Sequence, residues 1–321
     1  MFKRMLTPLA WIWRAGSAVQ MSRARAARRK LDAPVISVGA LTMGGAGKTP
    51  LVAHLAARLR ALGWNPAILT RGYKRTSREP IVMVRRGQAA AVESTGDEAQ
   101  IFIRRGDAHV GIGANRYEVG RAMEREFAPD IFLLDDGFQH VELHRDHDIV
   151  LIDSNDPEAG GAFPVGRLRE PLSALRRATE VVLTGDGEFR THLPCFRSRV
   201  IPLEWVSLES GAAMPLEAFR GQRVVAFCGL GNPRSFWRTL EQIGIAPLAR
   251  REFPDHHRYS RGDLASLAAP LSQAADAYLT TEKDSINIGA RCRGERCAKI
   301  FWLRIDVEIE NEAELLERIL D

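Results

Sequence analysis

Cysteine is scarce in this chain and poorly spaced for chemistry. Its four cysteines, Cys195, Cys228, Cys292 and Cys297, form no CxxC pair and have no nearby histidine partners, so neither a zinc site nor a disulfide framework is indicated. That usage fits a reducing cytosol. Long uncharged apolar runs are missing too. Near the N-terminus the stretch between Arg4 and Arg14 is nine residues, against the roughly twenty a spanning helix needs. No internal repeat or low-complexity tract occurs beyond an alanine/arginine run at residues 23–29. An apolar content of 45% with 26% charged residues excludes a disordered or polytopic chain, and 321 residues leave room for two lobes, each with its own core.

An excess of one charge sign is also missing from most of the molecule. The formal net charge is +5, but residues 1–33 hold eight Lys/Arg against Asp32, leaving 37 basic and 39 acidic side chains for the rest. Nucleic-acid binding across the folded body thereby loses its electrostatic argument, and no aromatic-interleaved basic patch restores it. Within the basic segment Phe2, Met5, Leu6, Leu9 and Trp13 recur at helical spacing, widened by Trp11 and Ile12. An interfacial membrane helix has that composition, and so does a helix docked on the protein's own core. A signal peptide does not fit, since the apolar core holds two tryptophans and no small-residue cleavage site follows.

What is present begins with Val35-Ile-Ser-Val-Gly39, a buried-strand pattern that runs into Gly44, Gly45, Ala46, Gly47, Lys48 and Thr49. Small residues let backbone N–H groups approach a polyphosphate, a lysine serves the β/γ oxygens, and a hydroxyl serves Mg²⁺. An amphipathic run then reaches Leu62, and Gly63 closes a strand, loop and helix unit. Thr42 stands where the usual phosphate-loop pattern has its first glycine. A second strand, Asn65-Pro-Ala-Ile-Leu-Thr70, ends in the cationic, aromatic loop Arg71-Gly-Tyr-Lys-Arg75. The carboxyl end of a strand is where α/β sheets bind ligands, although an ordinary solvated loop has the same composition. Asp97 and Glu98, ahead of a helix near Ala99, read from position alone as residues favouring its positive N-terminal end.

Further strands are expected at 108–113, 130–136, 148–153 and 180–184, with a helix over 116–127. Asp130-Ile-Phe-Leu-Leu-Asp-Asp136 has the form of the acidic strand end that holds Mg²⁺ or its water in phosphate-loop enzymes. Strands alternating with helices imply right-handed crossovers and a doubly wound parallel sheet. Residues 160–171 form a Gly/Pro-rich basic loop, and residues 185–217 read as a polar, irregular interval containing the lobe boundary near 195. A second, smaller α/β lobe follows, with strands near 224–229, 277–281 and 299–305 and helices from Pro233, near Asp263 and from Asn311. The expected division is an interfacial segment at 1–30, a phosphate-loop core at 31–195 and a lobe at 196–321 that closes over the active site.

Asp135-Asp-Gly-Phe-Gln-His140, in one chain with Gly44-Gly-Ala-Gly-Lys-Thr-Pro50 and Phe253-Pro-Asp-His-His257, closely resembles the tetraacyldisaccharide 4′-kinase family of lipid A biosynthesis. The likeness takes in Arg71-Gly-Tyr73, Gly96-Asp-Glu98, Gly166-Arg-Leu-Arg-Glu-Pro171, Phe227-Cys-Gly229 and Thr281-Glu-Lys-Asp284, in the family's order over nearly the whole chain. Thr42 fits, because family members carry threonine there. The resemblance implies a kinase at the cytoplasmic face of the bacterial inner membrane. It would pass the γ-phosphoryl group of ATP to the 4′-hydroxyl of a tetraacylated glucosamine disaccharide 1-phosphate, giving lipid IVA. Lys48 would hold the β/γ-phosphates, Thr49 the Mg²⁺, and Asp97 with His256 the base, replacing the capping reading of Asp97. Asp135 and Asp136 would serve the metal with help from Glu98; Arg71, Tyr73, His140 and Arg169 would touch sugar or phosphate. His257 is taken as structural. An acylated substrate gives the N-terminal helix a reason to sit in anionic lipid. The rival from another class is a membrane-recruited nucleotide switch, which also uses the glycine-rich lysine loop but often has lysine where Met43 stands.

Overall fold

The computed structural model describes residues 28–44, 47–267, 275–289 and 299–321. The expected N-terminal helix, Gly45, Ala46, Cys292 and Cys297 lie outside these residues. Two compact units emerge: residues 1–199 with 307–321, and residues 200–306.

Unit 1 is built on strands that are almost wholly buried, which is why their sequences read as continuous apolar runs instead of alternating ones. In chain order they are β1 (Val35–Ala40), β2 (Pro66–Thr70), β3 (Val82–Val84), β4 (His109–Ile112), β5 (Ile131–Asp135), β6 (His147–Asp153), β7 (Glu180–Thr184) and the first residues of β8 (Cys195–Ser207). The spatial order is β8-β7-β6-β1-β5-β2-β4-β3, parallel except for the β3–β4 pair. Helices α1 (Lys48–Ala61), α2 (Val92–Thr95), α3 (Asp97–Arg105) and α4 (Arg116–Phe127) occupy the crossovers. Alternate side chains of one strand serve opposite cores. Ile36, Val38, Ile68 and Leu133 pack with Leu51, Leu55 and Leu59 of α1, whereas Val35, Leu69, Phe132 and Leu134 pack with Val119 and Met123 of α4. Each fully buried aliphatic side chain contributes roughly 1.5–3 kcal/mol against exposure.

This order sets up the site. Because β1 lies between β5 and β6, the chain winds outward from it in both directions, which makes its carboxyl end the topological switch point. Val38 is level with Asp135 across the β1–β5 pair, and Leu69 with Leu134 across β2–β5, so the phosphate loop, the acidic pair and Arg71 leave the sheet along one edge.

Unit 2 has the order β11 (Ala249–Glu252), β10 (Val224–Cys228), β12 (Ala277–Thr281), β13 (Ile300–Ile309), all parallel, with β9 (Ala213–Met214) antiparallel to β8. Its helices are α5 (Pro233–Gln242), α6 (Arg261–Ser266) and α7 (Glu282–Ile288). The carboxyl-terminal helix α8 (Glu312–Leu320) belongs to unit 1, where Leu315, Leu316 and Ile319 join the core of α1.

Two expectations need correction. Residues 185–217 are not irregular throughout, since β8 takes thirteen of them; its charged residues, exposed middle and Pro202 hid the strand. The unit boundary falls at Arg199, and the tail that the sequence leaves in the second lobe returns to the first.

Candidate functional site

At the end of β1 the chain must turn without side-chain obstruction. Gly44 and Gly47 both have positive φ, 72° and 82°, a region that costs glycine nothing. Gly47 caps α1 in the left-handed conformation, so Lys48 and Thr49 begin the helix, where unpaired N–H groups and the helix dipole favour an anion. The approach to the loop is braced by residues 166–171: Met43 N–H donates to Arg167 O at 2.8 Å and Arg169 N–H to Leu41 O at 2.7 Å.

Asp135 ends β5 and Asp136 follows it with φ 50°, which aims the two carboxylates differently. Asp136 takes Lys48 Nζ on Oδ1 at 3.4 Å and Arg169 Nη1 on Oδ2 at 2.8 Å. Burial alone would raise its pKa, but the two cations overcome that and hold the carboxyl below its usual range. Asp135 accepts from Thr70 Oγ1 at 3.1 Å. Burial, Glu98 and Asp136 push the Asp135 carboxyl up to about 7 against the pull of Lys48 and Thr70. Two adjacent carboxylates with opposed shifts mark a functional site.

Gly96-Asp-Glu98 and Arg71-Gly-Tyr73 are packed on one another. A β-carbon at Gly96 would lie 2.5 Å from Tyr73 O, and one at Gly72 would lie 3.2 Å from Thr95 O. Asp97 is buried in the first turn of α3, with its Oδ1 accepting from Glu98 N–H at 3.0 Å. Arg71 bears electrostatically on His140 and Arg116, whereas the Tyr73 ring is half exposed beside Lys74. Burial, Arg116, Arg145 and Arg71 draw His140 down to about 4, so its imidazole is neutral at pH 7.

The structure thus gathers Gly44, Gly47, Lys48, Thr49, Asp97, Glu98, Asp135, Asp136, Arg71, His140 and Arg169 in unit 1. His256 is in unit 2. His257 has structural partners, stacking on Phe253 at 4.8 Å and bonding Asp263 Oδ2 at 3.1 Å.

Several contributors carry no sequence signal of their own. Gln139 bridges Ala40 O at 3.1 Å, Glu170 at 3.0 Å and Arg169 at 3.3 Å; Arg177 pairs with Glu170 and lies 4.3 Å over the Phe138 ring. Gln139 and Glu170 fall inside the recognised motifs, but no spacing rule gives their partners. Arg116 reads as a helix start. In the structure it is buried, and burial with Arg71 lowers its guanidinium to about 10 while Asp135, Asp136 and Glu142 oppose.

Thr49, Glu98, Asp135 and Asp136 offer oxygen donors alone, the chemistry a hard cation requires, and a cation would relieve the repulsion that lifts Asp135. Among the described residues no three His, Cys, Asp or Glu side chains form a closed cage.

The family model described as tetraacyldisaccharide-1-phosphate 4′-kinase (LpxK) matches residues 2–321. The tetraacyldisaccharide 4′-kinase of Koribacter versatilis (strain Ellin345) is 36% identical over 326 residues, covering 98% of each chain. That of Dechloromonas aromatica (strain RCB) is 36% identical over 311 residues, 95% of this chain and 88% of the relative. The crystal structure of LpxK from Aquifex aeolicus in complex with ATP superposes with a TM-score of 0.82 at 31% identity, covering 99% of both chains. Matched from end to end by the family model and by these relatives, the chain belongs to the tetraacyldisaccharide-1-phosphate 4′-kinase family.

Proposed function

We propose that this chain transfers the γ-phosphoryl group of ATP to the 4′-hydroxyl of a tetraacylated glucosamine disaccharide 1-phosphate. The observation that supports it most is the meeting of Lys48 and Arg169 on Asp136 at the mouth of the phosphate loop, beside a carboxyl that burial and like charge have raised. Phosphoryl transfer asks little covalent chemistry of a protein; positioning and charge neutralisation are what count. Lys48 exchanges Asp136 for the β/γ-phosphates, and the N-terminus of α1 cradles the same group. Thr49, Asp135 and Asp136, with Glu98 behind them, are the residues that would hold Mg²⁺, which when bound neutralises phosphate charge. Asp97 and His256 share the removal of the 4′-hydroxyl proton. Arg71, Tyr73, His140 and Arg169 contact sugar or phosphate, His140 as a neutral hydrogen-bonding group.

The acylated acceptor places the enzyme at a membrane surface, with residues 1–30 as the interfacial segment and anionic lipid as partner on the cytoplasmic face of the inner membrane. No helix among the described residues is long and apolar enough to cross a bilayer.

Purified protein in detergent, given ATP labelled at the γ position and the tetraacyl disaccharide 1-phosphate, is expected to label the lipid; no transfer contradicts the reading. Asp97→Ala and His256→Ala should each lower kcat by roughly 10²–10⁴, the range for a lost acid/base partner. The double variant should be little worse than either single one, as for residues acting as a unit. Multiplying losses would assign them separate roles.

A further inference from the structure

Two of the motifs, Phe227-Cys-Gly229 and Thr281-Glu-Lys-Asp284, have no role in the chemistry above, yet unit 2 brings both to the loop that carries His256. That loop is unusual in its backbone. His256 sits in the left-handed region at φ 58°, which a side-chain-bearing residue keeps only where its surroundings over-determine it. Its N–H donates to Gly229 O at 3.3 Å, while Phe253 N–H donates to Cys228 O at 2.8 Å and His257 N–H to Pro254 O at 3.1 Å. The loop therefore hangs on the end of β10.

Gly229 is held from its other side by Asp284. This carboxylate is fully buried, and its Oδ1 accepts from Gly229 N–H at 2.9 Å and from Tyr259 O–H at 2.9 Å. Its Oδ2 takes the Thr281 hydroxyl at 2.6 Å. One residue, Gly229, thus connects a buried carboxylate through its N–H to the His256 backbone through its C=O. There is no spare room, since a β-carbon at Gly229 would lie 3.0 Å from Pro254 O and 3.1 Å from Asp284 Oδ1. Tyr259 closes the other end of the loop, its ring packed on Phe227, Phe253 and His257 at 5.5, 5.0 and 4.9 Å. Next to Asp284 in the chain, Lys283 Nζ reaches Asp255 Oδ1 at 2.7 Å, and Asp255 Oδ2 lies 3.8 Å from His256 Nε2. Burial raises the Asp284 carboxyl, and its hydrogen bonds and Lys283 oppose that. A desolvated carboxylate of this kind is poor value as a stabiliser but gives fixed geometry to the groups that bond it.

We propose that Asp284 is a positioning residue for His256, acting through Gly229 and Tyr259 to set the loop from which the imidazole projects. This rests on the reading of His256 as part of the base. Asp284→Ala leaves two buried donors unpaired and lets the loop relax, so kcat should fall by about tenfold or more while KM for ATP moves by less than about threefold. Asp284→Asn keeps an oxygen for Gly229 and Tyr259 and should restore most of that loss. The decisive comparison adds His256→Ala: if Asp284 acts through the imidazole, the His256→Ala/Asp284→Ala double variant is no slower than His256→Ala alone.

Wild-type kcat in Asp284→Ala, or losses that multiply in the double variant, would overturn the proposal. If thermal melting shows that Asp284→Ala does not fold, Tyr259→Phe takes its place, deleting one oxygen; an undiminished kcat there overturns the proposal equally. A slow His256→Ala with a normal Asp284→Ala sinks the positioning role alone. A His256→Ala enzyme with wild-type kcat removes the base reading and this inference with it.

Discussion

Asp135 shows most clearly how the site is arranged for charge. A carboxyl raised to about 7 by burial, Glu98 and Asp136 binds a proton in the folded state that the unfolded chain gives up near pH 3.8. The group therefore lowers stability as pH rises from about 4 to 7, through the interval between its unfolded and folded values. Asp135→Asn removes that charge and keeps an acceptor for Thr70. The apo protein should gain on the order of 1–3 kcal/mol at pH 8, seen as a higher urea midpoint, while Mg²⁺-dependent transfer falls roughly 10²-fold or more. A variant no more stable than wild type would show that Asp135 carries no such strain. His140 works with the opposite sign. Its imidazole, held near 4, stays neutral while the unfolded chain protonates near 6.5, so it withdraws stability as pH falls from about 6.5 to 4. In His140→Gln the urea midpoint should fall less over that interval than in wild type; parallel curves would contradict the shift. The places of Lys48 at the start of α1 and of Asp135 at the end of β5 could be read in the sequence because loop and strand-end patterns are local. Arg116, Gln139 and Glu170 could not, because their partners come from crossovers far away in the chain.

Strands and helices were readable to the extent that burial made them uniform. β1, β2, β5 and β6 are apolar because both faces of the sheet are covered, and α4 starts and stops where its periodicity says it should. β8 escaped notice because a partly exposed strand with arginines and a proline has the composition of a loop. The junctions between elements depend on glycines whose importance only the fold reveals. At Gly96, φ 82° and the 2.5 Å approach to Tyr73 O leave no place for a side chain. Gly96→Ala should cost about 1–3 kcal/mol in urea unfolding and should also lower kcat, since Asp97 is the next residue. A neutral result in both would detach the Arg71 loop from the site. α8 supplies a second test. Glu312 contacts His54 and Arg58 of α1, and Leu315 is buried in the same core as Leu51 and Leu55. Leu315→Ala should therefore cost about 2–5 kcal/mol in the urea transition that ATP shifts. An unaffected transition would return the tail to the second lobe, where the sequence alone puts it.

Considered as one protein, the chain divides its work. The phosphate loop and the Asp135–Asp136 pair lie in residues 1–199 and 307–321, and the His256 loop lies in residues 200–306. The excess positive charge belongs to residues 1–33. Deleting residues 1–20 should weaken binding to anionic vesicles and lower activity on dispersed acyl substrate while nucleotide binding persists. Normal vesicle binding, or loss of nucleotide binding through unfolding, would make the segment part of the core. The fold class followed from the alternation of strands and helices, but the return of the tail to unit 1 is a long-range packing choice that no local pattern announces. Everything proposed for the site depends on Lys48 being the phosphate ligand that Asp136 holds in readiness, 3.4 Å away. The most direct measurement is kcat/KM for labelled phosphate transfer in Lys48→Ala, with melting temperature as the control for folding. A loss of about 10³-fold or more with an unchanged or slightly altered melting temperature is predicted; kcat/KM equal to that of wild type would contradict the site.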